Sequence, residues 1–227
     1  MSGPTDRGHL VLWGVGTSRT LRAHWALAEL ELAYETRAIG PRTGETKTAE
    51  YTALTARQKV PLLQDGDLVI TESAAIIAYL SDAYATAHNA LLPRTPQSRA
   101  KCLEWIAFGL SELDAASLYV IRRHRDLAHI YGAAPDVCVA AEQYFGLQMR
   151  SLDRALGDGR TFIADNRFSA ADIILGTCLG WADRYGLEVS PLARDYLAAL
   201  QSRAAFGRAV ARNTRPEAVP TRGDATL

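Results

Sequence analysis

The sequence predicts an α+β front half followed by an all-helical back half, and three observations carry that expectation. Over residues 1–85 the apolar residues switch between strand-like and helix-like spacing. Residues 86–97 contain two prolines and no periodicity, which reads as a linker. From 98 to 214 only helical spacing recurs, and the polar residues 215–227 read as a flexible tail.

The elements follow in order. His9-Leu-Val-Leu-Trp-Gly14 reads as a short buried strand. Leu21, Trp25, Ala28 and Leu32 then recur at steps of 4, 3 and 4, the stripe of an amphipathic helix. Tyr34 to Ala38 reads as a second strand, parallel to the first if the helix is a crossover. Residues 40–47 are rich in turn formers, and a short helix is expected over Thr48 to Leu54. Val60 to Leu63 and Leu68 to Thr71 read as strands joined at Asp65-Gly66, a strong hairpin signal. A helix opens at Glu72-Ser73 with Ile76, Ile77, Leu80 and Tyr84 on one face, completing the order βαβαββα.

Beyond the linker, Leu103, Ile106, Leu110, Leu113, Ser117 and Val120 step by 3, 4, 3, 4 and 3, predicting one long helix from about Gln97. A second is expected over Pro135 to Leu156, closed by Gly157-Asp-Gly159. A third opens at Ser169 with Asp172 placed for a capping box, and Phe168 and Ile173 placed to staple the turn. Shorter helices are expected over Pro191 to Leu200 and Ser202 to Ala211.

Composition excludes some function classes. Lys and Arg total 25, as do Asp and Glu, so the general basic excess that grips nucleic acid or acidic membrane is missing. No apolar run approaches the ~20 residues of a membrane span. The polar start, Met1-Ser-Gly-Pro-Thr-Asp-Arg-Gly8, lacks a signal-like apolar core, so a cytoplasmic protein is expected. Cys102, Cys138 and Cys178 are odd in number and far apart, supporting neither disulfides nor zinc; each reads as a small buried helix residue. His124 and His129 are five apart on a helix and point to different faces, so no metal site is expected. Gly14-Val-Gly16 lacks the third glycine and the downstream acid of a dinucleotide loop. Arg222-Gly-Asp224 has no meaning for a cytoplasmic chain.

The architecture resembles the cytosolic glutathione transferase superfamily, and three strings carry the resemblance: Lys59-Val-Pro-Leu-Leu63, Glu72-Ser73 and Phe168-Ser-Ala-Ala-Asp-Ile173. The resemblance implies a thioredoxin-like front domain that binds glutathione. It implies that a cis Val60-Pro61 turn aims the Val60 backbone at the cysteinyl part of the tripeptide. It also implies that Ser73 takes the γ-glutamyl carboxylate, Glu72 the α-amino group and Lys59 the glycyl carboxylate. A helix N-terminus favours such an anion by about 0.3–1 kcal/mol at exposed sites. The family's Asn-Pro before this segment is replaced by Thr55-Ala56, which loosens the glycyl end. The loop Ile39 to Thr46 is similar to bacterial members, with Arg42 a candidate contact.

The chemistry requires a thiolate. A free thiol near pKa 8.5 is only about 3% ionised at neutral pH, and lowering that pKa by about two units takes roughly 2.7 kcal/mol. A hydroxyl donor at a helix N-terminus can supply that amount. The resemblance places the donor in Gly14-Val-Gly-Thr-Ser-Arg-Thr-Leu-Arg22, which has no tyrosine and no cysteine, as in the serine- and threonine-type bacterial classes. Thr17 and Ser18 are the catalytic candidates, with Arg19 and Arg22 as nearby cations. Leu110, Leu113, Asp114, Ser117, Leu118 and Arg122 are candidates for the second-substrate pocket on the long helix. The basic run Arg122-Arg-His-Arg125 reads as a solvated face or as cleft lining.

The expected activity is transfer of an alkyl or aryl group to glutathione from a small, hydrophobic electrophile, by a homodimer with no cofactor beyond glutathione. Isomerase, dehalogenase or disulfide reductase activity on the same thiolate is the alternative. A non-catalytic interaction module ranks below both, because such modules often lose residues like Glu72-Ser73.

Overall fold

The computed structural model describes residues 9–215, so the polar start and the Arg222-Gly-Asp224 tail lie outside the described residues. Strands β1 (Leu10–Trp13), β2 (Glu35–Arg37), β3 (Leu62–Asp65) and β4 (Leu68–Thr71) form one sheet in the order β2-β1-β3-β4. β2 runs parallel to β1, with Val11 opposite Glu35, because α1 (Ser18–Glu29) is the crossover between them. β3 is antiparallel to both β1 and β4, with Leu12 opposite Leu63 and Leu62 opposite Thr71. The hairpin turn is Gly66-Asp67, with Gly66 at φ +57°. A 3₁₀ turn at Glu45–Lys47 falls inside the expected loop, followed by α2 (Ala49–Leu54) and later α3 (Ser73–Tyr84).

The remainder is helical: α4 (Pro96–Phe108), α5 (Tyr119–His124), α6 (Ala128–Tyr131), α7 (Pro135–Leu156), α8 (Ala170–Arg184), α9 (Pro191–Gln201) and α10 (Ala204–Asn213). No helix among the described residues is long and apolar enough to cross a membrane. The long helix expected from about Gln97 is interrupted. Between α4 and α5, Gly109–Leu118 winds in wide i→i+5 turns, and the Ser117 hydroxyl donates to Glu112 O, five residues back, at 2.7 Å. Wide turns shift the phase of the stripe, so Leu103 faces solvent while Leu113, Ser117 and Leu118 are wholly buried. Gly109 permits this, since a Cβ there would lie 2.7 Å from Ile174 Cγ2 on α8.

One apolar core runs through both halves, with α1 packed against α3, α8 and α10. Trp25 of α1 meets the Phe206 ring at 4.8 Å and the Phe168 ring at 5.8 Å. A smaller cluster of Trp13, Tyr51 and Leu62 lies beside α2. At the start of α8, Asp172 Oδ2 accepts from Ser169 N at 2.8 Å and from Ser169 Oγ at 2.9 Å. Its Oδ1 accepts from Ile163 N at 2.9 Å and from the Tyr196 hydroxyl at 2.6 Å. A buried carboxylate with this many donors anchors the whole corner. All three cysteines are buried in helices, as expected.

Candidate functional site

The site begins where β1 ends. Gly14, at φ +114°, turns the chain under Val60. A Cβ on Gly14 would lie 2.5 Å from Val60 Cβ and 2.9 Å from Thr20 Cγ2, so only glycine allows the approach. Val60 therefore sits against the N-terminus of α1, and the Val60-Pro61 peptide is cis. The Tyr51 hydroxyl donates to Lys59 O at 2.6 Å and holds this segment from below. From inside, buried His24 donates from Nε2 to Gly14 O at 3.1 Å, since a carbonyl can only accept. Its Nδ1 then accepts from the Tyr34 hydroxyl at 2.8 Å. Burial pushes the His24 pKa down to about 4, so the ring is neutral near pH 7.

Thr17 caps α1. Its Oγ1 accepts from Thr20 N at 3.0 Å, and Thr20 Oγ1 accepts from Thr17 N at 3.0 Å, a reciprocal capping box. Thr20 Oγ1 lies 2.7 Å from Asn213 Oδ1, a pure acceptor that also receives Gly16 N at 3.2 Å. Asn213 Nδ2 donates in turn to Thr17 O at 3.2 Å, and Gly16 N reaches Asn213 O at 2.8 Å. With the Thr20 hydrogen taken by Asn213, the Thr17 hydroxyl donates to Thr20 Oγ1 at 2.9 Å while its lone pair serves the helix. An anion at the positive end of α1 draws the Thr17 hydrogen from Thr20 Oγ1 by rotation about one bond. Ser18 Oγ, one residue on, accepts from Arg184 at 2.8 Å.

Both residues open onto a cleft of about 680 Å³ between the sheet domain and the helices. Lys59 and Val60 line it as well, whereas Pro61 is buried behind it. Glu72 and Ser73 do not line it. Glu72 adopts φ +70° at the head of α3, with its exposed carboxylate joined to the cleft wall by an ion pair to Arg57 at 2.7 Å. Ser73 is buried in the first turn. The cleft wall carries seven Arg and Lys residues and no Asp or Glu, although the chain's net charge is zero.

The pocket expected on the long helix is corrected by the structure. None of Leu110, Leu113, Asp114, Ser117 and Leu118 lines the cleft. The wide turns rotate Leu113, Ser117 and Leu118 into the core, and Leu110 packs against that core. Asp114, only 2% exposed, is a structural counter-ion. Its Oδ1 lies 2.6 Å from Arg19 and its Oδ2 2.8 Å from Arg22, itself 1% exposed. Burial opposes ionisation of Asp114, but the Arg22 and Arg19 charges outweigh it and hold the carboxyl below its usual range. Arg22 also donates to Thr177 Oγ1 at 2.8 Å and to Cys178 Sγ at 3.2 Å. Of the candidates only Arg122 lines the cleft, and the rest of its helical wall is Tyr119, Arg123, Ile130, Tyr131 and Trp181.

Asn213, His24, Tyr51, Arg57 and Arg184 went unnoticed in the sequence. Asn213 contacts Thr17 across 196 residues, a pairing that local spacing cannot reveal. The His24 signal was present, a polar residue beside Trp25 within an apolar helical face.

Comparison with known proteins agrees with this architecture. Residues 8–82 match the Glutathione S-transferase N-terminal domain and residues 141–208 the Glutathione S-transferase C-terminal domain. Glutathione S-transferase 1 of Schizosaccharomyces pombe is 30% identical over 154 residues, covering 65% of this chain and 64% of its own length, just under two thirds. A Vibrio cholerae protein named "Probable maleylacetoacetate isomerase" is 29% identical over 227 residues, covering 92% of this chain and 98% of its own. The theta class glutathione S-transferase of Xanthomonas axonopodis pv. citri, solved with glutathione bound, superposes with a TM-score of 0.75 at 27% identity. That superposition covers 89% of this chain and 97% of the other. The chain belongs to the glutathione S-transferase superfamily.

Proposed function

We propose that the protein binds glutathione, ionises its thiol at Thr17 and delivers the thiolate to an electrophilic carbon of a second substrate. The observation that carries this reading is the capped start of α1. There the Thr17 lone pair accepts from Thr20 N, and its hydrogen, which faces Thr20 Oγ1 at 2.9 Å, can swing to an anion beside a helix N-terminus. A sulfur anion there would accept the Thr17 hydrogen and benefit from the helix dipole, while its own proton leaves to solvent. The Val60 backbone would hold the cysteinyl unit, Lys59 the glycyl carboxylate, and Ser73 with the first N–H groups of α3 the γ-glutamyl carboxylate. One Glu72 oxygen is engaged by Arg57; the other makes no hydrogen bond among the described residues and suits the α-amino group.

The reacting step is a substitution or an addition. In substitution the sulfur–carbon bond forms as the leaving group departs with its electron pair. In addition to an unsaturated acceptor, the pair moves to the neighbouring carbon, which takes a proton from solvent. Addition, rotation and elimination at one carbon amount to isomerisation. That second reading is favoured by the near full-length match to the Vibrio cholerae protein. We further propose a homodimer, supported by Leu68 and Val69 exposed on edge strand β4 and Leu103 exposed on α4.

The test is calorimetric binding of glutathione followed by turnover of aryl halides, maleyl-type acids and a mixed disulfide. Binding is expected, and Thr17→Ala should lower kcat about 100-fold or more with little change in glutathione affinity, as for removal of an anion-stabilising donor. Absence of glutathione binding, or full turnover by the Thr17→Ala Ser18→Ala variant, would contradict the reading. Sedimentation at micromolar concentration tests the dimer.

A further inference from the structure

Three arginines on the cleft wall have no role in the reading above. Arg42 lies on the loop after β2, and Arg122 and Arg123 lie in the last turn of α5. Among the described residues none of the three pairs with an Asp or Glu, although Arg19, Arg57 and Arg125 all do. Aromatic groups hold them instead. Arg42 donates to the Tyr119 hydroxyl at 3.2 Å, and its guanidinium stands 5.9 Å from the Tyr131 ring centre. Arg123 lies 4.6 Å from that same ring, and Arg122 lies 6.0 Å from the ring of Trp181.

Two features set this group apart from an ordinary solvated basic face. Arg42 holds φ +67°, a conformation costly for a residue with a side chain, and it faces α5 and α6 from the opposite domain. Two guanidinium groups from distant parts of the chain then share the single Tyr131 ring, and like charges so placed repel unless an anion joins them. The local field is felt by neighbours. The Tyr131 phenol is held below its usual pKa, first by its hydrogen bond with Arg42 and further by the charges of Arg42 and Arg123. Arg184, which reaches Ser18, is lowered by burial and by the Arg122 charge.

We infer that the second substrate is an organic acid, whose carboxylate docks on Arg42, Arg122 and Arg123 while its planar body lies against Tyr119, Tyr131 and Trp181. This replaces the apolar electrophile expected from the sequence, and it rests on the glutathione reading above. Arginine suits the task because its fork matches a carboxylate with two parallel hydrogen bonds and its plane stacks on aromatic rings. The aromatic partners fix each guanidinium before the acid arrives, which reduces the ordering cost of binding. A carboxylate seated at this wall would leave the rest of the molecule facing the N-terminus of α1, where Thr17 and Ser18 open onto the same cleft.

The experiment compares two product conjugates by calorimetry at low salt: S-(para-carboxybenzyl)glutathione and its neutral para-carboxamide counterpart. The acid conjugate should bind about tenfold tighter or better, and the preference should shrink as salt is added. Arg122→Gln with Arg123→Gln should bring the preference close to one, and Arg122→Lys with Arg123→Lys should restore part of it, which separates a binding role from a folding defect. Equal affinities for the two conjugates in the wild-type protein would overturn the inference while leaving glutathione binding intact. An acid preference that survives in the glutamine variant would overturn the assignment to these arginines. If glutathione disulfide binds tighter than the acid conjugate and loses that advantage in the glutamine variant, the same arginines serve a second tripeptide and the electrophile assignment fails. Loss of all binding, glutathione included, would instead sink the underlying reading.

Discussion

The molecule uses arginine in two contrasting ways. Arg19 and Arg22, bound to Asp114, Thr177 and Cys178, close the seam between α1 and the wide turns of Gly109–Leu118. Arg42, Arg122 and Arg123 rest on aromatic faces with no carboxylate partner among the described residues. The first set shares the Asp114 counter-charge and therefore serves stability. The second is left charged in a cleft and is therefore available to a ligand. Residue type does not separate the two; the presence of a counter-charge does.

That contrast can be broken from its buried side first. Asp114→Asn leaves Arg22 buried without a counter-charge and should cost about 3–5 kcal/mol, read as a lowered urea midpoint. Arg123→Gln should move the same midpoint by no more than about 0.5 kcal/mol, since it removes no ion pair. A comparable loss from both would erase the distinction.

Titration of His24 sharpens the picture of how the loop is held. Its folded pKa, about 4, lies below the ordinary value of 6.5, so below pH 6.5 the unfolded chain takes up the proton first. Stability should be unaffected by this group above pH 6.5. It should fall by about 2 kcal/mol between pH 7 and pH 5, and the fall should continue through the folded pKa and level off below pH 4. Urea titration at those values checks this, and His24→Gln should flatten the slope. Thr17→Ala should cost the fold only about 1 kcal/mol, as for a lost helix cap. Its effect on the thiolate should be far larger than its effect on stability.

Much of the fold was legible because each element had its own period. Strands showed as short apolar runs, helices stepped by three and four, and Asp65-Gly66-Asp67 announced the hairpin. The cis Val60-Pro61 turn and the α8 box at Ser169 and Asp172 could also be anticipated, since both are local. The long helix was misread over Gly109–Leu118 because a stripe counted at 3.6 residues per turn loses its phase in wider turns. That error moved five candidate pocket residues onto the wrong surface. Asn213 and Arg184 stayed hidden for a different reason: their partners, Gly16 to Thr20 and Ser18, lie at the other end of the chain. The charge of the cleft was invisible in a net balance of zero, because it depends on which cations the fold leaves unpaired.

The central claim is that this cleft turns a bound thiol into a thiolate through Thr17. It is tested most directly by titrating the ultraviolet thiolate absorbance of protein-bound glutathione against pH, in the wild type and in Thr17→Ala. The account predicts a bound thiol ionising about two units below the free value near 8.5, with most of that shift lost in Thr17→Ala. A bound thiol that ionises like free glutathione, or a shift untouched by removing the Thr17 hydroxyl, would contradict it.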